Sequence, residues 1–77
     1  MTRDEARALI QRVVTDVAPD ADFARLKGGD DMRVVLDLDS MDFLNVLTGL
    51  QAAGIEVPDK DASKLFTLDG AIAYLSR

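Results

Sequence analysis

The 77-residue sequence predicts an all-α fold, a small four-helix bundle of three longer helices plus one short helix, with a long loop between helices 1 and 2. Three observations carry this expectation. Apolar residues recur at three- and four-residue intervals in three separate segments. Capping and stop residues flank those segments. The one strand-like run, Arg33-Val34-Val35-Leu36, finds no convincing strand partner elsewhere in the chain.

The first helix is expected over Arg3 to Val17. Ala6, Leu9, Ile10, Val13, Val14 and Val17 form its apolar stripe, and Thr2 with Glu5 three residues on reads as a capping box. Ala18-Pro19-Asp20 ends it, because the residue before a proline is pushed out of the helical region. Ala18 to Asp39 then reads as one long connection, broken at Gly28-Gly29. A loop of that length needs its own anchors or a function. Several of Phe23, Leu26, Met32, Val34, Val35, Leu36 and Leu38 are expected to tuck into the core.

The second helix is expected over Ser40 to Ala53. Phe43, Val46, Leu47, Leu50 and Ala53 share one face, with Leu44 at its edge. Asp42, Asn45, Thr48, Gly49, Gln51 and Ala52 take the other side, and Met41 projects there too, beside Ser40. Gly49 in mid-helix costs about 1 kcal/mol relative to alanine. Gly54 is a natural stop, and Pro58 prevents a helical continuation. Asp59 to Leu65 is expected as the short helix, with Asp59 as its cap. The last helix runs over Leu68 to Leu75, capped by Thr67, with Leu68, Ala71, Ile72 and Leu75 inward and Tyr74 at the flank.

Composition narrows the chemistry. Residues 1–77 allow one domain with one small core. The chain has no cysteine and no histidine, which removes disulfides, thiolate metal sites and the commonest general base. Ser40 and Ser63 therefore lack a base that would activate them, and no Ser-x-x-Lys pattern replaces it. Asp37, Asp39 and Asp42 are close in sequence, but so small a domain offers no water-excluding cleft to tune them. Asp37-Leu38-Asp39-Ser40-Met41 begins like a calcium loop and then lacks the glycine and closing glutamate. No enzyme and no dedicated metal site are expected.

A formal charge of −5 argues against nucleic acid and anionic membrane and suits a basic protein partner. No apolar run reaches membrane-spanning length, and Met1-Thr2-Arg3-Asp4-Glu5 lacks the apolar stretch of a signal peptide, so a cytoplasmic monomer is expected.

The run Leu36-Asp37-Leu38-Asp39-Ser40-Met41-Asp42 stands out against this background. It places one serine at a helix start, where unpaired N–H groups and the dipole favour an oxygen, a carboxylate or a phosphate. Read alone, Ser40 is a helix cap, and Asp37, Asp39 and Asp42 are a solvated face as readily as a docking patch.

Leu38-Asp39-Ser40-Met41 resembles the Asp-Ser-Leu signature of acyl carrier proteins, with methionine in place of leucine. Ile55-Glu56-Val57-Pro58-Asp59 is similar to that family's apolar-acidic-apolar-Pro-Asp segment. Phe66-Thr67-Leu68-Asp69-Gly70-Ala71-Ile72-Ala73-Tyr74-Leu75 is similar to its closing threonine-capped helix. The resemblance spans essentially the whole chain. It implies that a phosphopantetheinyl transferase joins the phosphopantetheine of coenzyme A to Ser40. The arm then holds acyl groups as thioesters and presents them to acyl-ligase, synthase or acyltransferase enzymes of lipid or secondary-metabolite synthesis. It implies recognition through Asp39 and Met41, with Asp37, Asp42, Asn45 and Thr48 meeting basic patches on partners.

In the family an acyl chain can also slip between the helices, past residues such as Phe43, Leu47 and Leu50. Asn45, Thr48, Gly49, Gln51 and Ala52 stand where the fatty-acid housekeeping pattern carries glutamates and a long apolar contact residue, so a specialised, free-standing member is expected. The alternatives are a peptidyl or aminoacyl carrier, and an unmodified acidic adaptor that binds a basic protein.

Overall fold

Thr2 starts the first helix as its spacing predicts. The Glu5 N–H donates to Thr2 Oγ1 at 3.1 Å, and the Thr2 N–H donates to Glu5 Oε1 at 2.9 Å. Helix α1 follows over Arg3–Val17 in the computed structural model, which describes residues 1–76. The other helices are α2 (Met32–Val35), α3 (Ser40–Ala52) and α4 (Leu68–Ser76). A 3₁₀ turn at Phe23–Arg25 and a 3₁₀ helix at Asp59–Leu65 complete the chain. The all-α expectation holds, and no strand forms among the described residues; a single isolated bridge joins Asp31 to Thr67.

The long connection is more structured than its sequence suggests. Of the strand-like Arg33-Val34-Val35-Leu36 run, Arg33 to Val35 are helical and Leu36 caps the turn, because Asp31 accepts the Arg33 N–H at 2.9 Å and starts α2. The segment is fastened to the start of α4. The Met32 N–H donates to the Phe66 carbonyl at 2.8 Å, and the Asp69 N–H donates to the Gly28 carbonyl at 2.9 Å. Phe23, Leu26, Met32, Leu36 and Leu38 are buried, as expected of several of these residues. Val34 is instead 76% exposed, because a single helical turn that buries Met32 and Leu36 turns Val34 outward.

Helix α1 packs against both α3 and α4 around one continuous apolar cluster. Ile10, Val14, Met32, Leu50 and Leu65 are almost completely buried, and no polar or charged residue is buried among those described. Gly49 corrects the helical wheel. It lies on the side facing α1, and a Cβ there would stand 2.7 Å from Val13 Cγ1. Its missing side chain lets the two helices approach, which offsets its poor helix propensity. Two ends also differ from expectation. Ala53 falls just outside α3 and is exposed. The 3₁₀ helix at Asp59–Leu65 follows Pro58 with no side-chain cap, so Asp59 does not cap it.

A polar contact ties this 3₁₀ helix to α4. The Tyr74 hydroxyl donates to Asp61 Oδ2 at 2.9 Å, and Lys64 Nζ lies 3.2 Å from Asp61 Oδ1. The Tyr74 hydrogen bond first, and Lys64 second, hold the Asp61 carboxyl below its ordinary value. The unfolded chain therefore takes up this proton at a higher pH than the folded one. The resulting stability is present above the unfolded carboxyl pKa of about 3.9 and is lost as pH falls through the folded value. Tyr74→Phe is accordingly expected to be less stable than the parent at neutral pH, with the difference shrinking below about pH 4. Urea midpoints at neutral and acid pH read this directly.

Candidate functional site

The start of α3 is built by two aspartates. Asp39 is the cap, and its Oδ1 accepts the Asp42 N–H at 2.7 Å. Asp42 Oδ2 accepts the Asp39 N–H in return at 3.2 Å. This is a capping box made with aspartate at both positions. Ser40 is consequently the first helical residue and not the cap, which corrects the simplest reading of its sequence. The box takes the amides of Asp39 and Asp42, so those of Ser40 and Met41 are left outside it. Ser40 is exposed to solvent.

Asp37 sets the angle at which the chain enters α3. It adopts φ 54°, a left-handed conformation unusual for any residue but glycine. The Leu38 N–H donates to the Arg33 carbonyl at 2.9 Å and the Asp37 N–H to the Val34 carbonyl at 3.3 Å. Together these close α2 as a Schellman motif, with Leu38 and Met32 both buried beneath it. Besides the partner contacts expected of its carboxylate, Asp37 has a structural duty in its backbone. Asp37→Gly is expected to be tolerated within about 0.5 kcal/mol, whereas Asp37→Val is expected to cost about 1–2 kcal/mol of stability. Thermal melts of the two variants separate the backbone role from the charge.

Around Ser40 the surface is mixed. Asp37, Asp39, Asn45 and Thr48 are exposed, while Asp42 is half-buried by the box it completes. Met41 is 61% exposed and Leu44 53%, so the helix offers two bare apolar side chains on the turn after Ser40. Leu44, at the edge of the buried face, borders an open groove and stays in solvent. The Thr48 hydroxyl donates to the Leu44 carbonyl at 3.0 Å, which occupies it within its own helix. A groove of about 520 Å³ continues from Leu44 between α3 and the following loop, lined by Leu47, Thr48, Gln51, Val57 and Pro58. Leu44 is the exposed residue of this surface that its sequence pattern did not assign to it. The signal for Leu44 was present, since it lies one turn beyond Ser40 and off the center of the buried stripe.

The site has the means to hold a phosphate ester. An exposed hydroxyl sits on the first turn of a thirteen-residue helix, beside amides its cap does not use. The carboxylates of Asp37, Asp39 and Asp42 around it repel a phosphate laid flat on the surface and favour one directed outward. Among the described residues no group of three acidic, histidine or cysteine side chains converges to hold a metal ion. No described helix is long and apolar enough to cross a membrane.

No protein-family model matches the sequence. The acyl carrier protein of Rubrobacter xylanophilus is 31% identical over 84 residues, covering 97% of this chain and 93% of that protein.

Proposed function

The chain belongs to the acyl carrier protein family, and from that premise we propose that Ser40 is its attachment point for phosphopantetheine. In the proposed reaction Ser40 Oγ attacks the phosphorus of coenzyme A that bears the pantetheine arm. The phosphoanhydride bond between the two phosphates breaks, adenosine bisphosphate leaves, and a transferase base takes the hydroxyl proton. Once attached, the group supplies a terminal thiol on which an acyl cargo is held as a thioester. The chain's own residues bind partners, orient the arm and leave the chemistry to the enzymes it visits.

The observation that carries the reading is the division of labour at the start of α3. Asp39 and Asp42 cap the helix between themselves, so the Ser40 hydroxyl is spared for modification without loss of the cap. Asp39 and Met41 flank it as recognition positions for the transferase. Asp37, Asp42, Asn45 and Thr48, with the bare Leu44, form the face that meets basic patches on acyl-ligases, synthases or acyltransferases. Exposed ion pairs give weak, fast and salt-sensitive contacts, which suit a carrier that must leave each partner. Asp37-Leu38 preceding Asp39 favours an acyl cargo over a peptidyl or aminoacyl one. The neutral Asn45, Thr48 and Gln51 on the exposed side favour a specialised role over general fatty-acid synthesis.

Incubation with coenzyme A and a promiscuous phosphopantetheinyl transferase, read by intact mass, tests the proposal. One added phosphopantetheine is expected. An unchanged mass would instead support an unmodified acidic adaptor.

A further inference from the structure

The turn that carries Ser40 is held from both sides, and both supports lead to Arg33. On the N-terminal side the Leu38 N–H donates to the Arg33 carbonyl at 2.9 Å, two residues before Ser40. Leu38 is buried, so the chain enters α3 from a fixed point. On the C-terminal side Phe43 lies three residues after Ser40, about one helical turn along α3. Its ring meets Phe66 edge-on, with centroids 5.1 Å apart and planes at 65°. The Arg33 guanidinium covers that Phe66 ring, its central carbon 3.5 Å from the centroid.

Arg33 is held in its turn. Asp31 Oδ1 accepts from Arg33 Nε at 3.1 Å, and Asp31 Oδ2 accepts from Nη2 at 2.7 Å. The Met32 N–H donates to the Phe66 carbonyl at 2.8 Å, which keeps the backbone beside the guanidinium against the backbone that carries the ring. Only a planar fork can pair with both carboxylate oxygens and lie flat on an aromatic face together, so the brace is specific to arginine.

Resting on the carrier reading, we infer that Arg33 is a positioning residue for phosphopantetheine transfer: it fixes the first turn of α3 against the start of α4, so that the Ser40 hydroxyl meets the transferase in one orientation. Transfer needs Ser40 Oγ in line with the phosphorus it attacks, and a loosened turn holds that alignment less of the time. Leu44, Asn45 and Thr48, the partner-facing side chains further along α3, stand beyond that turn. Docking therefore outlasts loss of the brace, whereas alignment does not. Charge alone gives the reverse expectation. Deleting a cation from a carrier that docks on basic patches would strengthen docking and leave the transfer step as it was.

The test follows single turnovers of the full chain with coenzyme A and an excess of phosphopantetheinyl transferase, below the melting temperature of every variant. Intact mass gives the limiting rate and the half-saturating transferase concentration separately. Arg33→Ala is expected to lower the limiting rate about ten- to a hundredfold, with half-saturation unchanged or at lower concentration. Arg33→Lys keeps the charge without the fork or the flat face, and is expected to behave like Arg33→Ala. Amide exchange at Leu38 is expected to quicken in both variants, and by more than at Leu50 deeper in α3. A folded Arg33→Ala with the parent's limiting rate would overturn the inference. So would an Arg33→Lys that transfers as fast as the parent, because charge would then suffice, and that arm decides alone if Arg33→Ala does not fold. A parent protein that gains no mass would instead sink the carrier reading, and this inference with it.

Discussion

Ser40→Ala is expected to abolish phosphopantetheine transfer completely while leaving stability within about 0.5 kcal/mol of the parent. The two halves of this result test different claims. Loss of the adduct in intact mass locates the modification at Ser40 and leaves Ser63 as a bystander. Retention of stability tests the geometry of α3. Were Ser40 the cap, its replacement by alanine would cost about 0.5–2 kcal/mol. The cap is Asp39, bonded at 2.7 Å to the Asp42 amide, so that cost of about 1 kcal/mol is expected from Asp39→Ala instead. Asp39→Ala keeps the hydroxyl and is expected to accept the group, more slowly if Asp39 is also read by the transferase. A Ser40→Ala variant that melts far below the parent would mean that the helix start depends on the hydroxyl.

How much of this was legible in the sequence depends on how local each determinant is. Helix α1 could be read to the residue because its capping box and its stripe lie within its own segment. The position of Ser40 at a helix start was legible for the same reason. Which of Asp39 and Ser40 caps was not, since both residue types are good caps. What decides it is Asp42 three residues after Asp39, a box closed by the shorter acid where glutamate is usual.

The α2 turn was hidden for a different cause. Two adjacent valines favour extended backbone locally, and the turn is imposed by the Asp31 cap and the distant bond from Met32 to Phe66. Gly49 looked like a local cost because its compensation comes from Val13, thirty-six positions away in α1. The Arg33–Phe66–Phe43 stack joins three segments and leaves almost no local trace beyond an aspartate two residues before an arginine. What the site displays was thus readable, and what packs beside it was not.

Gly70→Ala separates local propensity from packing most sharply. Gly70 lies in the first turn of α4, and its N–H donates to the capping Thr67 Oγ1 at 3.0 Å. Propensity alone predicts that alanine in a helix is better than glycine by about 1 kcal/mol. The structure predicts the opposite sign. A Cβ on Gly70 would collide with the Lys64 carbonyl oxygen, a backbone atom that cannot rotate away, and would stand 2.9 Å from Thr67 Oγ1. Relief requires the end of the 3₁₀ helix to move off α4, and Leu65 and Phe66 lie on that corner. The expected loss is about 3 kcal/mol, from a total of roughly 4–11 kcal/mol for a chain of this length. That corresponds to a fall in melting temperature of roughly 12–24 °C. Gly29→Ala is the matched control, since nothing lies within 4 Å of its Cβ position, and it is expected to stay within about 0.5 kcal/mol. Because the displaced corner carries Phe66, Gly70→Ala is also expected to loosen the ring stack beside Ser40. A Gly70→Ala protein as stable as the parent would show that the approach of α4 to the Lys64 carbonyl is slack.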